Sequence, residues 1–272
     1  MNKEITIVVA THKYSPMPTD RMYLPLQVGA AINKDNKGQL IDLGFAKDNT
    51  GDNISDKNPF FGTQTALYWA WKNLDCDYKG LVHYRRYFVG ENRKKDDMLG
   101  SVITYDEIKP QLCKYKVFVP KKRWYVIETL QSHYAHTHDE KHLSIVRNII
   151  QQDSPEYLKA FEKIMMRRWG YMFNMMIMQK DMMDDYCTWL FNILFQLFEQ
   201  VDKKGLSAFD SRFCGRVSEI LFDVWLERKI EAGQLKKQEI KELSYIEDVN
   251  WNYKIKAFIT AKLFHKKYGR SS

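Results

Sequence analysis

The chain has 272 residues, 44% of them hydrophobic, and a formal net charge of +8. That is enough apolar material for one large domain, or one domain with a small appendage, and no apolar stretch is long enough to span a membrane. The positive balance asks for an anionic partner, and nucleic acid, anionic lipid and nucleotide-sugar phosphates all qualify.

The start, MNKEITIVVATHK, reads as a first β-strand and not as a signal peptide, because it carries one short apolar run and no cleavage pattern. Ile5 to Ala10 is a continuous, mostly β-branched run, the pattern of a strand buried on both faces. Pro16 and Pro18 then force a loop. Leu40 to Phe45 is a weaker strand candidate. Lys47 to Pro59 is a long polar loop, a length more often functional than idle.

Phe60 to Leu74 reads as a helix with Phe60, Leu67, Ala70, Trp71 and Leu74 on one face. Tyr78 to Val82 is a strand that runs into His83, and Val117 to Val119 is another, closed by Pro120. Two polar helices are expected within Val126 to Gln151. Ser154-Pro155-Glu156 has the composition of a helix start. Tyr171 to Met178 reads as an apolar strand with Asn174 embedded in it. Asp184 to Val201 and Ser211 to Arg228 are amphipathic helices. Early strands alternating with helices, followed by a mostly helical last part, predict an α/β fold with a helical C-terminal portion.

Cys76, Cys113, Cys187 and Cys214 are scattered and form no CxxC pair, which suits a reducing cytoplasm. Residues Trp251 to Ser272 hold six Lys/Arg and no Asp/Glu. Ile255, Phe258, Ile259 and Leu263 fall at helical spacing there, so residues 251–272 read as a basic amphipathic helix that anchors on a membrane surface or docks on the core. Residues 1–250 form the remaining domain.

The candidate chemistry centres on LVHYRRYF, Leu81 to Phe88. Ligands of open α/β sheets bind at the carboxyl ends of strands, and an arginine fork matches phosphate oxygens. His83, Arg85 and Arg86 at such an end form an anion site walled by Tyr84, Tyr87 and Phe88, against the plainer reading of surface ion pairs. The loop from Gly51 to Asn58 offers Asp52, Asn53, Lys57 and Asn58 to a nucleotide or sugar, or is an Asx-turn loop that caps the next helix. Arg212, Arg216, Glu219 and Asp223 share the polar face of a late helix, which is either an active-site face or a solvated one. Asn174 must satisfy its amide with neighbouring backbone or with a bound sugar hydroxyl. His133, His136, His138 and His142 have some metal-ligand spacing but no clear carboxylate partner. Asp75-Cys76-Asp77 resembles a metal-binding DxD, yet it precedes a strand, so it reads as a turn.

Several strings occur in a set order: VATHKYSPMPTDRMYLPLQVGA, DNTGDNISDKN, ALYWAWKN, GLVHYRRYF, FNMMIM and RVSEIL. From about Ile5 to Leu226 the chain thereby resembles the bacterial capsule and exopolysaccharide glycosyltransferases grouped as domain of unknown function 4422. The resemblance implies a GT-A-like nucleotide-sugar-binding sheet flanked by helices. It also implies transfer of a sugar from a UDP-sugar to a lipid-linked saccharide, and relatives of this kind include galactofuranosyltransferases. The chain departs from the family where a Cys-Glu-Leu-Thr run is usual before ALYWAWKN: it reads Gly62-Thr63-Gln64-Thr65, without the carboxylate.

Physical reading and resemblance together give one expected mechanism. Thr11, His12 and the Asp52 to Asn58 loop hold the nucleotide. His83, Arg85 and Arg86 neutralise the leaving diphosphate where a DxD metal site would otherwise stand. Glu219, or failing it Asp210, deprotonates the acceptor hydroxyl. No cofactor is required on this reading, and a divalent Mn or Mg ion is the alternative. The enzyme would be cytoplasmic and peripheral on the inner face of the membrane, with no nucleic-acid partner. The competing readings are an RNA-binding basic module and a non-enzymatic membrane-associated assembly protein.

Overall fold

The computed structural model describes residues 4–91, 93–94 and 97–248. The basic helix expected at 251–272 lies outside the described residues. The strands are β1 (Ile5–Thr11), β2 (Tyr23–Gln27), β3 (Ala46–Lys47), β4 (Tyr78–His83), β5 (Arg86–Phe88), β6 (Val117–Pro120), β7 (Arg123–Trp124), β8 (Trp169–Gly170), β9 (Met176–Gln179), β10 (Ile240–Leu243) and β11 (Tyr245–Glu247). The α-helices are α1 (Asn58–Phe61), α2 (Gln64–Asn73), α3 (Tyr105–Ile108), α4 (Leu130–Thr137), α5 (Lys141–Asp153), α6 (Leu158–Met165), α7 (Lys180–Gln200) and α8 (Phe213–Glu231).

The main sheet runs β10-β6-β9-β4-β1-β2-β3, with β5 and β11 continuing from β4. Its centre is parallel: β1 lies between β2 and β4, and Ala10 is level with His83. β9 is antiparallel to both β4 and β6. The apolar run of β1 serves two cores at once, as a doubly covered strand must. Ile5, Ile7 and Val9 pack with Tyr78, Tyr87 and Phe88 on one face. Val8 and Ala10 pack with α2, α5, α7 and α8 on the other. α8 is buried nearly all round, from Phe213 through Trp225, as expected of a helix apolar on most of its faces.

The expected α/β architecture with a largely helical later part holds, and several boundaries shift. The predicted helix over 60–74 is two helices, because Gly62 at φ +57 breaks the chain between α1 and α2. The strand predicted at Tyr171 to Met178 begins only at Met176; Phe173 and Asn174 adopt φ of 81 and 52 and turn the chain instead. Leu40 to Phe45 is not a strand, and the edge strand is Ala46–Lys47. Ser154 does not cap with its side chain; its Oγ accepts from Trp189 Nε1 at 3.1 Å. The late, mostly helical part still returns β9, β10 and β11 to the sheet.

The long loop is organised by Asp48, which is completely buried. Its carboxylate accepts from the backbone N–H of Gly29 (2.9 Å) and Ala30 (3.0 Å), from Thr65 Oγ1 (2.7 Å) and from the Ser55 hydroxyl. A buried carboxylate is tolerable only with such partners.

Gln64, at the first position of α2, is also fully buried, and neither its Nε2 nor its Oε1 has a partner. Burying an unpaired amide is costly. Gln64→Leu should therefore raise the unfolding free energy by about 1–3 kcal/mol, measured by denaturant titration. A destabilised Gln64→Leu would show that the amide does have a partner in solution.

Candidate active site

β1 ends in a turn set by its own side chain. Thr11 Oγ1 donates to the Lys13 carbonyl at 2.5 Å and accepts from Lys13 N–H at 3.3 Å. This throws His12 and Lys13 out of the sheet at its carboxyl edge, where both stand exposed. One strand over, β4 and β5 form a tight hairpin, with His83 opposite Arg86 and Tyr84 and Arg85 at the tip. The Tyr84 ring makes an edge contact with His12 (5.5 Å) and lies 4.5 Å from His83. Lys13 Nζ and Arg85 Cζ each lie 5.3 Å from its centre.

The third wall is the start of α8. Arg212 is held below the usual guanidinium value by burial, and then by Arg216 and Arg85. His12 is lowered by desolvation against its neighbours, then by Arg212, Arg85 and Lys13. His83 is lowered to about 3, first by burial and then by Arg85, Arg86, His12 and Arg212. Its Nδ1 faces the Arg85 backbone N–H at 3.4 Å. That contact suits a neutral ring with the proton on Nε2. Lys13, Arg85 and Arg212 thus bear on the two imidazoles beside a helix N-terminus, with Arg216 behind Arg212, an arrangement that suits an anion. A divalent cation does not fit this donor set, because its charge would be repelled by the arginines.

The remaining expected residues fall into three groups. Arg86 points away from the cluster's mouth: it pairs with Glu247 on β11 and stacks 3.9 Å over Phe173. Asn174 is buried and engaged by α8, donating to the Gly215 carbonyl at 3.0 Å and accepting from Ser218 Oγ at 3.0 Å. The loop residues make local bonds. Asp52 accepts from Tyr68 OH (3.0 Å), Asn53 from Ser55 N–H (3.2 Å), and Lys57 pairs with Asp56 (3.1 Å). Asn58 donates to the Gly62 carbonyl at 2.9 Å and to Thr65 Oγ1 at 3.0 Å. These bonds are those of an Asx-turn loop docked on α2, and none of them runs to His12 or His83.

The two carboxylates lie along and before α8. Glu219 is half-buried two turns beyond Arg212, and its charge is felt by Tyr125 and His133. Asp210 accepts from Ser207 Oγ at 2.6 Å. It lies on a cavity of about 650 Å³ also lined by Tyr134, His138, Lys141, His142 and Phe213. His138 is lowered to about 3, by burial and then by Arg216. Asp223, one turn past Glu219, is pushed up to about 7 by burial but is sealed from solvent and held by Tyr171 N–H at 3.0 Å. Among the described residues His133 and His136 both engage Glu128, at 2.6 and 2.8 Å, and no His/Cys/Asp/Glu group of three converges as a metal site. Asp75 and Asp77 occupy the turn before β4, as their position predicts; Asp75 pairs with Lys180 at 2.7 Å.

The sequence reading passed over two features here. Lys13 joins the cluster although it is only the residue after His12. Tyr14, 74% exposed, stacks on Phe45 at 6.0 Å with the rings nearly parallel. An aromatic residue just past a strand end was the available signal for it.

A family model described as a domain of unknown function, DUF4422, matches residues 6–230. No curated protein matches the chain. The fold is similar to a solved structure titled as the WbbM bifunctional glycosyltransferase in its apo form, with 28% identity and a TM-score of 0.79. The match covers 90% of this chain and 46% of that one, so the chain spans about half the length of the protein it resembles.

The histidines set a pH signature. His83 and His138 have folded pKa values near 3 against an ordinary 6.5. Between those limits the unfolded chain binds more protons, so stability rises with pH there and is lost as pH falls from about 6.5 towards 3. Denaturant titrations from pH 7 to pH 4 should show this loss, and His83→Asn should make it shallower. An unchanged slope in His83→Asn would mean that the ring protonates freely in the fold.

Proposed function

The chain belongs to the DUF4422 family, and we propose from that premise that it is a glycosyltransferase using a UDP-sugar, with galactofuranose the candidate sugar. The acceptor is a lipid-linked saccharide in capsule, O-antigen or exopolysaccharide synthesis. The observation that carries the reading is the cationic cluster at the carboxyl ends of β1 and β4, within a fold similar to a glycosyltransferase.

Lys13, Arg85 and Arg212 receive the diphosphate, and His83 adds a neutral N–H donor that its low pKa keeps uncharged at neutral pH. Tyr14 and Phe45 offer a flat surface to the base. As the bond from the sugar to the diphosphate breaks, the acceptor oxygen bonds to the same carbon. Its proton passes to Glu219, with Asp210 as the second candidate. The arginines stabilise the leaving charge, so the reaction needs no metal.

On this reading the enzyme works in the cytoplasm at the inner membrane face, where a lipid-linked acceptor is reached. Among the described residues no helix is long and apolar enough to cross a membrane.

Three measurements test the reading. UDP should raise the thermal midpoint of the wild type, and Arg85→Ala should abolish that shift and most turnover. Activity should survive EDTA; loss on chelation with recovery on manganese would overturn the metal-free step. Glu219→Gln should lower turnover by roughly 10²–10⁴-fold with UDP affinity nearly unchanged. Near-normal turnover in Glu219→Gln moves the base to Asp210.

A further inference from the structure

β7 and β8 form a small two-stranded sheet of their own, with Arg123 opposite Gly170 and Trp124 opposite Trp169. The chain beyond β7 is clamped at both ends. Tyr125 N–H donates to the Arg168 carbonyl (2.8 Å), and Leu130 N–H donates to the Arg167 carbonyl (2.8 Å). Thr129 and Ser132 close a capping box on α4. Between these clamps the chain projects as a short arch.

The arch is apolar and faces water. Val126 is 86% exposed, Ile127 75% and Trp124 66%, and Met166, at the end of α6 beside Arg167, is 67% exposed. Among the described residues the other exposed large hydrophobics are Tyr14, at 74%, and Leu40, at 53%. Single exposed hydrophobics are ordinary, but a cluster marks an interaction surface. Tyr125, by contrast, turns inward onto His133 at 4.3 Å.

Charge identifies the partner. Lys121, Arg123 and Arg168 stand exposed around the apolar tip, and Lys122 lies beside them, paired with Glu242 at 2.7 Å. The acid of the arch, Glu128, is engaged by His133 and His136. Tryptophan and aliphatic side chains ringed by exposed basic ones match the boundary of an anionic bilayer, where the ring and chains enter the headgroup region and the cations meet lipid phosphate. A projecting arch suits that planar partner.

We infer that the Lys121–Ile127 arch, with Met166 and Arg168, is a membrane-docking surface for anionic lipid. It deepens the proposed function and rests on it only for its purpose. Tyr125, inside the arch, lies close enough to Glu219 to feel its charge. A docked arch therefore brings the base side of the site to the bilayer that carries the acceptor.

The test is co-sedimentation of the full chain with vesicles of equal phosphatidylglycerol and phosphatidylcholine, and with phosphatidylcholine alone. The wild type should pellet with the anionic vesicles only. The Val126→Asp/Ile127→Asp double variant should lose binding by about tenfold or more, with the thermal midpoint unchanged because both side chains are solvent-exposed. Arg168→Glu should weaken binding at low salt, with the difference shrinking as salt rises. If the double variant lowers the midpoint, Val126→Ser/Ile127→Ser replaces it. A wild type that ignores anionic vesicles, or a double variant that pellets like the wild type, overturns the proposal. UDP stabilisation measured on the same samples reports on the transferase reading separately.

Discussion

Lys13, Arg85, Arg212 and Arg216 repel one another, and two of them stand at the start of α8, Arg212 at its cap and Arg216 in its first turn. Something neutral and directional must hold that helix against the sheet. Asn174 does so: its amide donates to the Gly215 carbonyl and accepts from the Ser218 hydroxyl. It can reach both because Phe173 and Asn174 hold consecutive left-handed conformations, which cost on the order of 1–3 kcal/mol each. Gly215 completes the fit, since a Cβ there would meet the Phe61 carbonyl oxygen at 2.9 Å. Phe173, in the same turn, receives Arg86 on its face and Tyr245 on its edge. One strained turn therefore fixes the helix and the hairpin, and the anion site lies between them.

Asp48 plays the matching part for the loop beside β2. Its four donors come from the chain after β2, from the turn before α1 and from α2. A long polar segment thereby gains a fixed shape without regular secondary structure. This explains why a loop with a binding-site composition makes mostly internal bonds. Asn, Asp, Ser and Thr bond backbone groups as readily as they bond a ligand, and composition alone does not separate the two uses.

The elements written in local pattern were legible. The β-branched run of β1, the strand before His83 and the amphipathic stripe of α7 needed no tertiary information. The position of His83 and Arg85 at a strand end followed from them. What stayed hidden depends on distant partners. Arg86 looks equivalent to Arg85, but Glu247 lies 161 residues away in sequence and turns it out of the cluster. The polar face of α8 could be read from spacing, yet only packing brings Arg212 next to His12. The run Tyr171 to Met178 is apolar throughout, so its left-handed turn leaves no trace in hydropathy. β10 and β11 are short and half-polar, and they form because β6 and β5 offer open edges. The polar helices read from Val126 start only at Leu130, because the capping box of Thr129 and Ser132 begins α4 there, and Val126 and Ile127 face solvent ahead of it.

Those last two strands bear on how the molecule comes into being. The family match ends at residue 230, but the sheet does not. On the ribosome, β5 and β6 emerge more than a hundred residues before the strands that cover them. Until residue 248 is clear of the exit tunnel, two open β-edges and an unanswered Arg86 face solvent. Such edges are templates for pairing with other chains. Nascent chains of this protein therefore pass through an interval with these edges open, and fragments cut at the family boundary keep them open.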